Sequence, residues 1–340
     1  LNPDPDPSSE ELFAHAGEAP FARLSVEVML NALDDLGLAG DGTLVALNSY
    51  ENRVYQVGIE DQPPVIVKFY RPNRWSDAAI LEEHQFTDEL ALHEIPVVPA
   101  LSINGTTLHH AGGFAFSVFE RRGGRAPDIE RTDTLAWLGR FIGRIHAVGA
   151  TRAYQVRPTL DLQSFGEEPR RWLLDSDFIA KEIRASYAAV SAAALECVAK
   201  ELFAVPASVI RVHGDCHIGN VLWTEHGPHF VDFDDSRMAP AVQDLWMLLS
   251  GARDEQALQM RAILSGYREF ADFDIRQLRI IEALRTLRLL HYSAWLARRW
   301  HDPAFPKAFP WFASVNYWQE RITELREQIA AMNDEPLSLD

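Results

Sequence analysis

The chain has 340 residues, 47% hydrophobic and 24% charged, enough for one large core or two moderate ones and unlike a fibrous or disordered composition. A formal charge of −17 excludes a broad nucleic-acid binder, but not a nucleotide held by a local lysine, a cation and backbone N–H groups. No apolar run is long enough to cross a bilayer and no basic-then-apolar leader opens the sequence. The two cysteines, Cys197 and Cys216, make no disulfide framework; together these predict a cytoplasmic protein with no membrane partner.

Residues 1–11 combine prolines, acids and serines without apolar periodicity, and 1–20 is expected to be a flexible tail. Val26, Leu30, Leu33 and Leu36 to Leu38 recur at helical spacing behind Ser25, a candidate N-cap. Short β-prone runs follow at 44–47, 53–59 and 65–70, parted by Asp61 and Pro63-Pro64 as turn residues. A helix is expected over 78–93, then strands over 97–101, 107–110 and 114–119. Beyond Arg121-Arg-Gly-Gly-Arg125 the pattern turns helical. Leu135, Leu138, Phe141, Ile142 and Ile145 form one stripe behind the candidate caps Thr132 and Asp133. Further helices are expected around 176–202, 242–251, 254–271 and 277–300, with strands only at 209–212, 221–223 and 229–232. The expected fold class is α+β and bilobal: a β-rich lobe over 21–120, a mostly helical lobe over 121–340, and a ligand-binding cleft between them.

The chemistry concentrates in His213-Gly-Asp-Cys-His-Ile-Gly-Asn220 and the following Phe-Val-Asp232-Phe. A hydroxyl attacking a γ-phosphate needs an acceptor for its proton, and the triphosphate needs a divalent cation to offset its charge. Hard Mg²⁺ favours oxygen ligands, which one amide and one carboxylate supply. Asp215 lies five positions before Asn220 in one loop, and Asp232 follows at the end of a short β-prone run. Asp215 is then the candidate base, with Asn220 and Asp232 as candidate metal ligands. Asp234 and Asp235 read mainly as capping or turn residues, although Asp234 sits where another metal contact is conceivable. A transition-metal reading of His213, Asp215 and His217 leaves Asn220 and Asp232 unexplained, and His213 reads better as a loop-shaping hydrogen-bonder.

These two segments resemble the aminoglycoside phosphotransferase and choline kinase branch of the protein-kinase-like fold, over about residues 40 to 300. The resemblance implies ATP as nucleotide and Mg²⁺ as cation, with catalytic roles for Asp215 and Asp232. It also implies that Lys68, in Val65-Ile-Val-Lys68-Phe-Tyr, contacts the ATP phosphates, with Glu83 on the following helix as its ion-pair partner and Glu82 as the rival. Asp244, in Val242-Gln-Asp-Leu-Trp246, is similar to that family's buried aspartate bracing the catalytic loop. Further segments, among them Leu47 to Gln56, Lys68 to Pro72 and Asp302 to Lys307, resemble the bacterial stress response kinase A group. That group implies a Ser/Thr protein kinase acting on protein substrates, and on itself, under stress; a small-molecule kinase is the alternative.

Two features depart from the regulated protein-kinase pattern. The loop at 47–56 that should cover the phosphates has no glycine, leaving Ser49, Asn52 and backbone groups for that task, with Ser49 the chosen phosphate contact. Asp244 follows Asp232 by only twelve residues, which leaves no separate activation segment. The hinge is expected near Phe119-Glu120-Arg121. The aromatic and basic residues from Tyr292 to Phe305 read as core ahead of an acceptor pocket, and Arg121, Arg122 and Arg125 as a solvated linker. No coiled coil is evident, and a monomer is expected.

Overall fold

The computed structural model describes residues 19–225 and 227–339, so of the expected tail only Ala19 and Pro20 lie within it. Ser25 caps helix α1 (Val26–Asp34) by accepting a hydrogen bond from the Val28 N–H. Five antiparallel strands follow: β1 (Gly40–Ala46), β2 (Arg53–Ile59), β3 (Gln62–Phe69), β4 (His109–Ala111) and β5 (Phe114–Glu120), in the sheet order β1-β2-β3-β5-β4. Helix α2 (Asp77–Leu92), capped by Ser76, intervenes between β3 and β4.

Two expectations change here for reasons of proline chemistry. Pro63 and Pro64 belong to β3 rather than to a turn. They fall where the β2–β3 register shifts and before β3 meets β5 at Val65, so the missing N–H groups interrupt no regular ladder. Conversely, the expected strand at 97–101 reduces to isolated bridges, Val97 to Phe230 and Ala100 to Phe119, because Pro96 and Pro99 cannot donate to a continuous ladder.

The remainder is mostly helical: α3 (Thr132–Gly149), α4 (Glu168–Asp175), α5 (Lys181–Ala204), α6 (Val242–Trp246), α7 (Arg253–Tyr267), α8 (Ile281–Arg298), α9 (Ala304–Ala308) and α10 (Val315–Asn333). Arg131 occupies the N-cap of α3, without a side-chain capping bond, in place of the expected Thr132 or Asp133. Two short antiparallel ladders sit among these helices. Strand β6 (Val209–Val212) pairs with β9 (Arg237–Pro240), and β7 (Val221–Thr224) pairs with β8 (Gly227–Phe230). Their ends fix the stretches 213–220 and 231–236 side by side.

Apolar burial divides into a small core under the sheet, including Met29, Leu33, Val67 and Phe116, a large one among the helices, including Leu138, Ile142, Val212 and Phe233, and a minor cluster of Tyr70, Ile80 and Leu108. Phe86 and Leu90 of α2 join the larger core, so this helix ties the sheet to the helical body. Within that body α3 and α7 cross backbone to backbone. A Cβ on Gly139 would enter the carbonyl of Ile263, and one on Gly266 the carbonyl of Ala136. Gly139→Ala must push the helices apart and is expected to cost about 1–3 kcal/mol, lowering the thermal midpoint. Gly123→Ala, with open space around the added methyl, serves as control. Equal midpoints for the two variants would contradict this close crossing.

Candidate active site

The chain leaves β6 at Val212 and enters the 213–220 loop, whose backbone is held from below by Asp244 on α6. One Asp244 oxygen accepts the His213 N–H at 2.7 Å and the other the Gly214 N–H at 2.9 Å. His146 Nε2 lies 3.0 Å from the same carboxylate, and its Nδ1 lies 3.0 Å from the Tyr267 hydroxyl. All of these groups are buried except the rim of the loop. Gly214 has φ +86°, and a Cβ there would collide with the Asp235 carbonyl, so the turn requires glycine. His213 is buried: its Nε2 donates to the Val231 carbonyl at 3.0 Å and its Nδ1 accepts the Asp215 N–H at 3.4 Å. Both ring nitrogens are spent on shaping the loop, which removes the transition-metal reading of this histidine.

Asp215 emerges from this scaffold with its side chain 24% exposed. Arg288 of α8 donates to its Oδ1 at 2.6 Å, and His217 Nε2 lies 3.4 Å from Oδ2. Burial alone would raise the Asp215 pKa, but His217 and the Arg288 guanidinium hold it well below the usual carboxylate range. Asn220 closes the loop by donating its Nδ2–H to the Asp215 carbonyl at 3.0 Å, which leaves the amide oxygen as its remaining acceptor. Asp232 sits beyond β8 in the left-handed region, at φ 60° and ψ 63°, a conformation that costs a non-glycine residue energy and recurs at functional sites. Its side chain is 53% exposed.

Cations from the sheet-bearing half complete the cluster. Lys68 on β3 is buried and places Nζ 2.9 Å from Asp232 Oδ1 and 3.2 Å from Asp234 Oδ1. Burial would depress this ammonium, but Asp232, Asp234 and Glu83 together raise it well above the usual lysine value. The expected Lys68–Glu83 ion pair is not formed here. Glu83 instead accepts from Arg157 Nη2 at 3.2 Å, and burial pushes its pKa up to about 7. Arg157 is the reason. This buried guanidinium also donates to the carbonyls of Ala79, Asp234 and Ser236, fastening α2 to the loop after Asp232. Glu82 caps the N–H groups of Gln155, Val156 and Arg157, which takes it out of contention as the lysine partner.

Asp234 and Asp235 are more than turn residues. Asp234 is buried and receives Arg74 and the Asn52 Nδ2–H, while Asp235 accepts from Arg74 at 2.9 Å and Arg237 at 2.7 Å. Asn52 is buried between Asp234 and the Arg71 N–H, so it shapes the β1–β2 loop from inside. Ser49 lies half-buried in the same loop. Among the described residues no three His, Cys, Asp or Glu side chains are grouped to hold a metal ion.

Sequence reasoning missed a clasp between the β1–β2 loop and the helical body. Glu51 meets Arg71 at 3.0 Å and Arg299 at 2.6 Å and accepts from the Trp295 indole N–H. Arg53 and Arg71 converge on buried Asp302, at 3.1 Å and 2.8 Å. The aromatic segment after Tyr292 is thus part core, through buried Phe305, and part clasp. Arg121 and Arg122 are exposed, with Arg121 on Gln56 and Arg122 on Glu120, but Arg125 is not part of a solvated linker: its backbone pairs with Trp223 of β7, the two exchanging N–H···O=C bonds at 3.1 and 2.7 Å. Because Asp244 holds two loop N–H groups and a buried imidazole, Asp244→Ala is expected to cost about 2–4 kcal/mol, read as a lower urea midpoint. An unchanged midpoint would remove Asp244 as the brace of the loop.

The model of one family, the phosphotransferase enzyme family (APH), matches residues 43–281. A stress response kinase A of Salmonella choleraesuis (strain SC-B67) is 43% identical over 319 residues, 94% of this chain and 97% of the relative. The relative from Salmonella typhimurium described as the serine/threonine protein kinase RdoA has the same identity and coverage. Among solved structures, amicoumacin kinase superposes with a TM-score of 0.70 at 19% identity, covering 97% of this chain and 98% of its own. A microcompartment-associated aminopropanol kinase gives 0.71 at 18% identity, covering 93% and 100%; at such identities these two speak for the fold alone. With its five-stranded sheet, its helical body and the Asp244-braced loop between them, this chain belongs to the phosphotransferase enzyme family.

Proposed function

We propose that this protein is a Ser/Thr protein kinase of the bacterial stress response, transferring the γ-phosphate of ATP to a hydroxyl on a protein substrate, itself included. The observation that carries the phosphotransfer chemistry is the gathering of Asp215 and Asn220 with the segment that bears Asp232, joined to them by the Val231 N–H on the Asn220 carbonyl, and of Lys68 on Asp232 itself. The protein acceptor is favoured by the relatives at 43% identity, one of which bears the name of a serine/threonine protein kinase.

Each residue has a physical task. Asp215, kept ionised by Arg288 and His217, orients the acceptor hydroxyl and takes its proton as the oxygen bonds to the γ-phosphorus and the bond to ADP breaks. Lys68 supplies a buried positive charge to the phosphates, exchanging the carboxylate it holds here for phosphate oxygens. The donor set fits a hard divalent cation: the Asn220 amide has its nitrogen committed to the Asp215 carbonyl, and Asp232 offers an accessible carboxylate. Mg²⁺ bound there would offset the negative charge of the transferred group. Ser49 is assigned to the phosphates from the β1–β2 loop, and Glu83 to positioning, through Arg157, of the segment that carries Asp232. Absence of a separate activation segment favours constitutive competence, and a monomer suffices for all of these roles.

Asp215→Ala is expected to lower transfer by about 10²–10⁴-fold while ATP affinity stays within a few-fold of wild type. Wild-type turnover in that variant would remove Asp215 from its role. Incubation with γ-labelled ATP and cell lysate, followed by separation of protein from metabolites, tests the acceptor class. Label on serine or threonine of proteins is expected; label confined to metabolites would replace this reading with a small-molecule kinase.

A further inference from the structure

Helix α8 runs past the catalytic loop and carries Arg285 and Arg288 one turn apart. Beside it opens a hollow of about 450 Å³ whose walls include Trp246, Arg285, Arg288, Tyr292, Glu324 and Glu327. That volume is in the range of ligand-binding clefts. Arg285 is occupied, with Glu282 at 3.1 Å, Gln256 at 2.9 Å and the Trp246 ring beneath it. Glu324 pairs with Arg321 on its own helix, α10. Arg288 differs: one nitrogen binds Asp215 Oδ1 at 2.6 Å, its side chain is 43% exposed, and it lines the hollow. It is therefore a fixed positive charge at the point where an acceptor hydroxyl must meet the base.

We propose that Arg288 determines acceptor specificity, selecting hydroxyls flanked by a carboxylate or phosphate, as on an acidic protein segment, and rejecting acceptors with an ammonium beside the hydroxyl. The proposal rests on the phosphotransferase reading of Asp215 and deepens it. The chemistry is unchanged: the acceptor oxygen bonds to the γ-phosphorus, ADP leaves, and the hydroxyl proton passes to Asp215 and on to solvent. Arg288 acts on what surrounds that oxygen. Its planar guanidinium retains N–H groups suited to a carboxylate or phosphate, which strengthens binding of an anionic neighbour. An ammonium at the same place meets a like charge that Asp215 offsets only in part, so the repulsion lies below the roughly 100-fold loss that a bare pair about 6 Å apart near a protein surface would give. Glu324 and Glu327 contribute negative charge from α10, so the discrimination applies next to the hydroxyl and not to the acceptor as a whole.

The test uses the full chain with ATP and Mg²⁺ and a panel of matched acceptors. Two peptides carry one serine flanked by aspartates or by lysines, and two small alcohols are glycerate and aminopropanol. The ratio of kcat/KM between anionic and cationic members cancels any general loss of turnover. Wild type is expected to favour the anionic member by at least about tenfold, Arg288→Lys to keep the direction, and Arg288→Glu to reverse it. The same ratio in wild type and Arg288→Glu would overturn the proposal. Charge preference confined to the small alcohols, with both peptides inert, would support Arg288 while overturning the protein acceptor. No transfer to any member would overturn both.

Discussion

Crowding of carboxylates is the constraint on which this structure depends. Asp215, Asp232, Asp234 and Asp235 lie on stretches that two short ladders hold side by side, and Asp234 is buried. Two unit charges 4 Å apart repel by about 4 kcal/mol at an effective dielectric near 20, comparable to the whole stability of many domains. The cluster persists because cations reach it from both sides. Lys68 and Arg74 come from β3 and the segment after it, and Arg157, Arg237 and Arg288 from the helical part. The ion pairs that make the site tolerable therefore also hold the sheet against the helices. A triphosphate bound there would add further negative charge, which is the physical ground for expecting a divalent cation to arrive with it.

The β1–β2 loop shows how the fold manages without the glycines that a phosphate-covering loop commonly uses. Its conformation is set by tertiary anchors: Asn52 is sewn to Asp234 and the Arg71 backbone, Glu51 to Arg71, Arg299 and Trp295, and Arg53 to Asp302. Loss of backbone freedom is compensated by side-chain contacts to a distant helix. Stiffness in this loop is thus a property of α8 and the turn after it as much as of the loop's own residues.

Much of this was legible in the primary structure, and the limits have physical causes. β2 and β6 fall where β-branched runs between turn residues placed them, and the Asp215 loop was readable from the order and spacing of its polar residues. Strand β9, Arg237-Met-Ala-Pro240, contains no β-branched residue and is buried throughout, so neither composition nor alternation marks it. Helix α10 did carry a signal: Tyr317, Trp318, Ile322, Leu325 and Met332 bury one face at helical spacing. Glu83, expected to pair with Lys68, bonds instead to Arg157, which lies 74 residues away and offers no local clue. The same holds for Asp302, whose arginine partner at position 53 lies 249 residues away.

We propose that the Lys68–Asp232 pair marks the place where nucleotide and divalent cation bind together. Calorimetric titration of ATP with and without Mg²⁺, on wild type and Asp232→Ala, tests it most directly. Losing a proposed ligand should cost at least the roughly 10–100-fold in metal affinity typical of outer-shell partners, so the gain from Mg²⁺ should be large in wild type and nearly absent in the variant. ATP affinity independent of Mg²⁺ in wild type, or an equal gain in both proteins, would contradict the account.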